Sequence, residues 1–393
     1  MRMKRIMSQA SLRHWFALFY IVLSYNVIAD TSLPERKSVV LTSSRHVEGS
    51  FSSKDIVISQ DDHLCLMVNE FPFEAGRTNT PHFQFSLRKT NPDETEIIYT
   101  APFDPDRKEI IKHLSRPVFS PDDSKIAWST IRDLIYKGKN EISEFKEWQQ
   151  NVEAKFLNER GSDLHILNLE NGTVESYHLD LEAHQLVWAK DGSIYSQGVF
   201  RQNDPNSGFQ SIYRHRLQLD GVQSELVYQL DESFAEISLL GSSPEAVYFT
   251  LWKSASVLIT NNSFNVGGST VSTRWAVYTI NTLSPEASEP TLQKEFILYK
   301  DSNIDRVIAS CISPNGRFIA CRAESDEEGN IERVAIYDTV SDSLVILEEE
   351  RIWPLQWSGD GGKLYVWTLA DPESEMLYPK RLWSIETTEL VSN

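Results

Sequence analysis

The sequence predicts an all-β protein: a six-bladed β-propeller of four-stranded antiparallel blades, its ring closed by an N-terminal strand, with one helical insertion. Three observations carry that prediction. One hairpin phrase recurs six times, each copy is followed by a second pair of strands, and the last unit lacks one strand that a segment near the N-terminus could supply.

The phrase is clearest in "PVFSPDDSKIAWST", residues 117 to 130. Val118 and Phe119 end a short strand, Pro121 presets a turn φ, Asp122 and Asp123 supply turn hydrogen bonds, and Ile126 and Trp128 alternate into the next strand. Copies follow the same plan as "VISQDDHLCLMV" from 57, "LVWAKDGSIYSQ" from 186, "SCISPNGRFIACRA" from 310 and "LQWSGDGGKLYVWT" from 355, and more weakly as "ISLLGSSPEAVYFTLW" from 237. Asp191-Gly192, Asn315-Gly316 and Asp360-Gly361 tolerate the positive φ that tight hairpin turns require. The turns begin after residues 58, 119, 188, 240, 312 and 357, at intervals of 45 to 72 residues. Between them lie further alternating pairs such as "DLHILNLENGTVESYHL" from 163 and "RVAIYDTVSDSLVILEE" from 333, which makes four strands per unit. The final unit is one strand short, and the β-branched "KSVVLTSS" (37–44) is expected to complete it, removing an open sheet edge.

The phrase apolar-aromatic-Ser-Pro-Asp-Gly, then a basic residue and Ile-Ala-aromatic, with a later Ile-Tyr-x-x-Asp, resembles the TolB-type (WD-repeat-like) bacterial propeller repeat. "PVFSPDDSKIAWS" and "SCISPNGRFIACRA" with "VAIYDT" match best, "LQWSGDGGKLYVWT" matches well, and the resemblance covers 57 to 390. It implies the fold. TolB also has a small α/β domain before its propeller, whereas only 27 residues lie between Ala29 and Val57, so that domain is expected to be missing and no binding residue transfers by position.

Residues 1–29 read as a secretory signal peptide: Arg2, Lys4, Arg5 and Arg13 precede the apolar "WFALFYIVL" (15–23), and Val27 and Ala29 offer small residues at a cleavage site. Nine apolar residues are too few for a membrane-spanning helix, which needs about 20, so no integral membrane segment is expected after cleavage. The expected mature chain, 30–393, is a single propeller domain, periplasmic or secreted and monomeric. With four basic and no acidic residues removed, it keeps 34 Lys and Arg against 56 Asp and Glu, a net charge of −22. Nucleic acid, which needs a basic face, is excluded as a partner. Of the three cysteines, Cys311 and Cys321 flank one turn and either pair across it or stay as buried thiols.

Catalytic signatures are sparse. Asp122, Asp191 and Asp360 recur with the turn, where Asp bonds its own backbone. "SGDGGKLY" (358–365) approaches a sialidase Asp-box in a single copy, no Gly-x-Ser-x-Gly elbow occurs, and the nine histidines lack metal-ligand spacing. His184 reads as a surface or satisfied histidine. No catalytic residue, cofactor or metal site is therefore assigned.

Two insertions interrupt the repeat. In 139–162, Ile142, Phe145, Trp148, Val152 and Phe156 form one apolar helical face. It either packs on its own blade or docks a partner through Phe145, Trp148 and Phe156. The second insertion, 253–274, carries no charge between Lys253 and Arg274 and reads as a long hairpin or loop. The resulting expectation is an exported envelope module that binds a protein, peptide or glycan; the alternative is a propeller enzyme, sialidase- or lyase-like, with a site at the channel mouth.

Overall fold

The structure, a computed structural model, describes residues 35–39, 45–51, 55–70, 83–89, 95–101, 109–134, 161–200, 209–229, 235–253, 273–282, 290–298, 306–325, 331–347, 351–369 and 380–388. The propeller lies within a single compact unit, Lys37–Asn393. Insertion 139–162, except Gly161 and Ser162, and most of 253–274 lie outside the described residues, and Phe145, Trp148 and Phe156 with them.

Strands β1 (Glu35–Val39) and β2 (Arg45–Phe51) precede the first blade. Blade one is β3 (Asp55–Ile58), β4 (Leu64–Glu70), β5 (Phe83–Lys89) and β6 (Thr95–Thr100). Blade two is β7 (Glu109–Leu114), β8 (Val118–Phe119), β9 (Lys125–Leu134), β10 (Ser162–Asn168) and β11 (Val174–Leu179). Its innermost strand is split in two, because Pro117 has no N–H to give the ladder with β9. Blade three is β12 (Glu182–Trp188), β13 (Ile194–Phe200), β14 (Phe209–Gln218) and β15 (Gly221–Gln229); blade four is β16 (Ala235–Ser242), β17 (Ala246–Lys253), β18 (Thr273–Asn281) and β19 (Thr291–Leu298). Blade five is β20 (Arg306–Ile312), β21 (Phe318–Ser325), β22 (Ile331–Asp338) and β23 (Ser343–Leu347), and blade six is β24 (Ile352–Trp357), β25 (Lys363–Leu369) and β26 (Lys380–Glu386).

Blade six takes its fourth strand from the N-terminal side, as expected, but from a different segment. β2 pairs with β26, Arg45 opposite Ser384 and Phe51 opposite Lys380. Segment 37–44 does not close the ring: β1, which covers its first residues, stands beside β23 in the fifth sheet. β-Branched composition marks a strand without saying which edge it joins.

Alternation along each strand sends residues to the two neighbouring blades, so each seam has its own apolar cluster. On β9, Ile126 and Trp128 pack toward blade one while Ala127 between them packs toward blade three. Six such clusters fill six seams, including Ile56, Ile58 and Cys65 against Leu355, Tyr365 and Leu382 where blade six meets blade one. That sixth cluster closes the ring. The richest lies between blades one and two, where Trp128 sits edge-on to Phe85 at 4.8 Å between ring centroids.

The register also decides the cysteines. Cys311 faces Ala320 and Cys321 faces Ala309. They therefore point to opposite faces of blade five, Cys311 toward blade six and Cys321 toward blade four, and remain free thiols. Burial pushes the Cys311 thiol up to about 12, although the Arg116 charge acts against it. Among the described residues no helix is long and apolar enough to cross a membrane.

Candidate functional site

The six turns of the repeated phrase gather at one end of the channel, and four share one hydrogen-bond pattern. Buried Ser59, Ser120, Ser313 and Ser358 each donate Oγ–H to the acidic or amide side chain two residues on: Asp61 at 2.6 Å, Asp122 at 2.6 Å, Asn315 at 2.7 Å and Asp360 at 2.6 Å. Each serine oxygen then accepts the N–H five residues on, from Leu64, Lys125, Phe318 and Lys363. The positive φ falls on Gly192 (84°), Gly316 (72°) and Gly361 (72°), and in the Asp-Asp copies on Asp62 (64°) and Asp123 (56°). Turn chemistry thus occupies these carboxylates. The hydroxyls of Ser120 and Ser124 hold the Asp122 carboxyl down at about 2, and the Ser59 hydroxyl lowers that of Asp61.

The turns also grip one another. The Asp123 carboxylate accepts the N–H of Gln60 at 2.8 Å and of Asp61 at 2.9 Å across the seam between blades one and two. Burial raises its pKa against the pull of those two N–H groups. Gly359 donates its N–H to the Gln60 carbonyl, an approach that a Cβ at 359 would block at 2.3 Å from that oxygen.

Inside the turns lies a cavity of about 740 Å³, walled by the innermost strands of all six blades. Register shifts, one-residue bulges, interrupt five of those innermost strands, and the residue just past each shift is His113, Gln185, Gly241, Cys311 or Gln356. Three of these reach the next blade's backbone. Gln356 Nε2 donates to the Ile58 carbonyl at 2.6 Å while its Oε1 accepts the Ile58 N–H at 3.0 Å. Gln185 Oε1 accepts the Leu239 N–H at 2.8 Å, and His113 Nε2 lies 3.2 Å from the His184 carbonyl. Gly241 and Cys311 bring no such group; a Cβ on Gly241 would lie 3.2 Å from Ile312, and Cys311 joins the apolar cluster toward blade six.

Arg116, at the break between β7 and β8, reaches from blade two to the two blades before it in the ring. Its Nη1 donates to the Leu355 carbonyl of blade six at 3.0 Å and its Nη2 to the Ile56 carbonyl of blade one at 2.9 Å. Its Nε is enclosed without a partner, and among the described residues Arg116 joins no ion pair.

The sequence reading missed Arg116, Gln185 and Gln356. The available signal was a polar side chain inside each apolar run leading to a turn: "RPVF", "QLVW" and "LQW". His184, read as a surface or satisfied histidine, lies 3.7 Å from Glu182 and beside the His113 ring. Buried His165 and His215 are bracketed by hydroxyls, His165 by Thr130 and Ser176 and His215 by Ser196 and Ser224. Burial lowers the His215 pKa to about 4.

No protein-family model matches the sequence, and no curated protein does. Among solved structures the chain is similar to TolB from Acinetobacter baumannii, with 15% identity and a TM-score of 0.44 over 84% of this chain and 65% of that one. It is similar to prolyl oligopeptidase B from Galerina marginata, with 11% identity and a TM-score of 0.44 over 88% of this chain and 40% of that one. A third is the β-propeller domain of the Trilobed protease from Pyrococcus furiosus, with 12% identity and a TM-score of 0.40 over 82% and 80% of the two chains. The chain thus spans less than two thirds of the TolB chain and two fifths of the oligopeptidase. By its ring of six four-stranded antiparallel blades the chain is an all-β six-bladed propeller, and its repeated hairpin phrase resembles the TolB-type repeat.

Proposed function

We propose that this chain works by binding, as an exported module of the bacterial envelope, and that the cavity at the turn-bearing end of the channel receives its ligand. The observation that carries the reading is the cavity itself: about 740 Å³, within the size range of ligand pockets, built from all six innermost strands and braced by Arg116, Gln185 and Gln356. A pocket held by cross-blade hydrogen bonds exists before a ligand arrives, so little ordering cost is left to binding. Export follows from the signal-peptide reading of residues 1–29, which predicts a mature protein in the periplasm or medium beginning near Asp30, checked by N-terminal sequencing. For an envelope protein as partner, Phe145, Trp148 and Phe156 of the helical insertion are proposed as an additional contact.

The test is a screen of the 30–393 chain against envelope glycans and peptides, repeated with Ser238→Trp, which sets an indole into the cavity. Saturable binding that Ser238→Trp abolishes supports the reading; hits unaffected by it place binding elsewhere. Mass spectrometry of the recovered ligand addresses the enzymatic alternative, since a sialidase- or lyase-like enzyme would return cleaved product.

A further inference from the structure

The charged residues of the cavity wall are unevenly placed. Asp61, Arg116, Asp122, Asp123 and Lys190 all come from blades one to three, and blades four to six contribute none. Their part of the wall includes Leu239, Leu240, Cys311, Ile312, Leu355 and Trp357. Opposite that apolar arc the carboxylates are already engaged: Asp61 and Asp122 by serine hydroxyls, Asp123 by two backbone N–H groups. Arg116 differs. Like those carboxylates it meets only neutral dipoles, two carbonyl oxygens and, at 3.5 Å, the Gln356 amide oxygen, but its Nε is enclosed with no partner at all.

A half-buried guanidinium without a counter-ion costs free energy that an anion placed beside it would recover. The guanidinium carries five N–H groups, and these three contacts do not use them all. Asp61 and Asp122 are exposed, where salt screens them over about 8 Å, while Arg116 and Asp123 are half-buried and screened less, Asp123 with its carboxylate held by two N–H groups of the neighbouring turn. From this juxtaposition of an uncompensated cation and an uncharged, largely apolar arc in one cavity, we infer that the site takes an organic carboxylate with an apolar body: the carboxylate pairs with Arg116 and the body lies against blades four to six. The inference rests on the proposal that the cavity is the binding site and names the chemistry it selects.

The probes are matched: octanoate against octanol and octylamine, and 2-naphthoate against 2-naphthol, titrated calorimetrically into the 30–393 chain at neutral pH. The expected result is saturable binding of the two carboxylates, at least about tenfold tighter than their uncharged counterparts, the discrimination of a charged hydrogen bond. Octylamine should not bind, and Arg116→Gln should remove the preference. Because Arg116 also ties two carbonyls, that variant can fail to fold; the matched series on the unaltered protein decides the matter without it. Equal binding of octanol and octanoate overturns the anion assignment while leaving the cavity as a binding site. Absence of saturable binding by every probe also overturns it, and the wider binding proposal then stands or falls on the Ser238→Trp screen.

Discussion

Blades one to three and blades four to six are built from the same hairpin phrase, yet they meet their neighbours differently. From blade six round to blade four, polar side chains cross onto the next blade: Gln356 to Ile58, Asp123 to Gln60 and Asp61, His113 toward His184, and Gln185 to Leu239. At the equivalent places between blades four, five and six stand Gly241 and Cys311, with side chains such as Ile312, Trp357 and Ile352 packed about them. A hydrogen bond to backbone constrains position and direction, whereas apolar contact rewards area and is non-directional. The bridged arc therefore includes the place where the two ends of the propeller must meet in register, and the other arc leaves the channel wall apolar. The polarity of the cavity is a consequence of how its seams are closed.

The largest effect should follow removal of the closing strand. A chain starting at residue 45 loses β1 beside β23 but keeps β2, and should fall below the 30–393 chain in stability by less than one that also lacks β2. One starting at residue 52 loses β2, exposes the edge of β26, and should lose several kcal/mol, read by urea denaturation. Equal midpoints for the two would show that the ring does not need β2.

Next comes Trp128→Ala, which empties the centre of the aromatic cluster between blades one and two. Trp128 is fully buried, and its loss should cost roughly 3–5 kcal/mol. A cost under about 1 kcal/mol would mean that the seam is loosely packed.

His215 gives the bridged arc a pH dependence. It is fully buried, with a pKa lowered to about 4 from 6.5, so between those values the unfolded chain binds a proton that the folded chain refuses. Its contribution is intact above pH 6.5 and is lost as pH falls toward 4, by roughly 3 kcal/mol in all. His215→Gln, able to bond Ser196 and Ser224 without titrating, should flatten that slope in unfolding measurements at pH 7, 5.5 and 4.

Much of this architecture was legible in the sequence because the turn chemistry repeats: the Ser-x-Asp or Ser-x-Asn pattern and its positive-φ position recur at a blade's spacing. Residues that occur once were not legible. Arg116 owes its place to Pro117 breaking one strand, and Gln185 and Gln356 owe theirs to bulges, which carry no periodic signal. The closing strand was set a few residues early because "VVLT" has the composition of a strand, while β2, "RHVEGSF", does not advertise one. The cysteine question turned on which residues face each other, a matter of register, which the turn spacing alone left open.

The smallest expected differences test the comparison most directly. Gln356 and Cys311 hold the same position past the bulge in adjacent blades, one bridging by hydrogen bonds and the other by packing. Gln356→Ala leaves the Ile58 N–H and carbonyl without their partner and should cost about 2 kcal/mol. Cys311→Ala removes one buried sulfur and should cost about 1 kcal/mol. Gln356→Leu should recover little of the first loss, because apolar volume cannot satisfy a backbone amide, whereas Cys311→Val should recover much of the second. Urea midpoints of these four variants, measured side by side, should show that pattern; full rescue of the Gln356 site by leucine would contradict the claim that the two arcs are held by different forces.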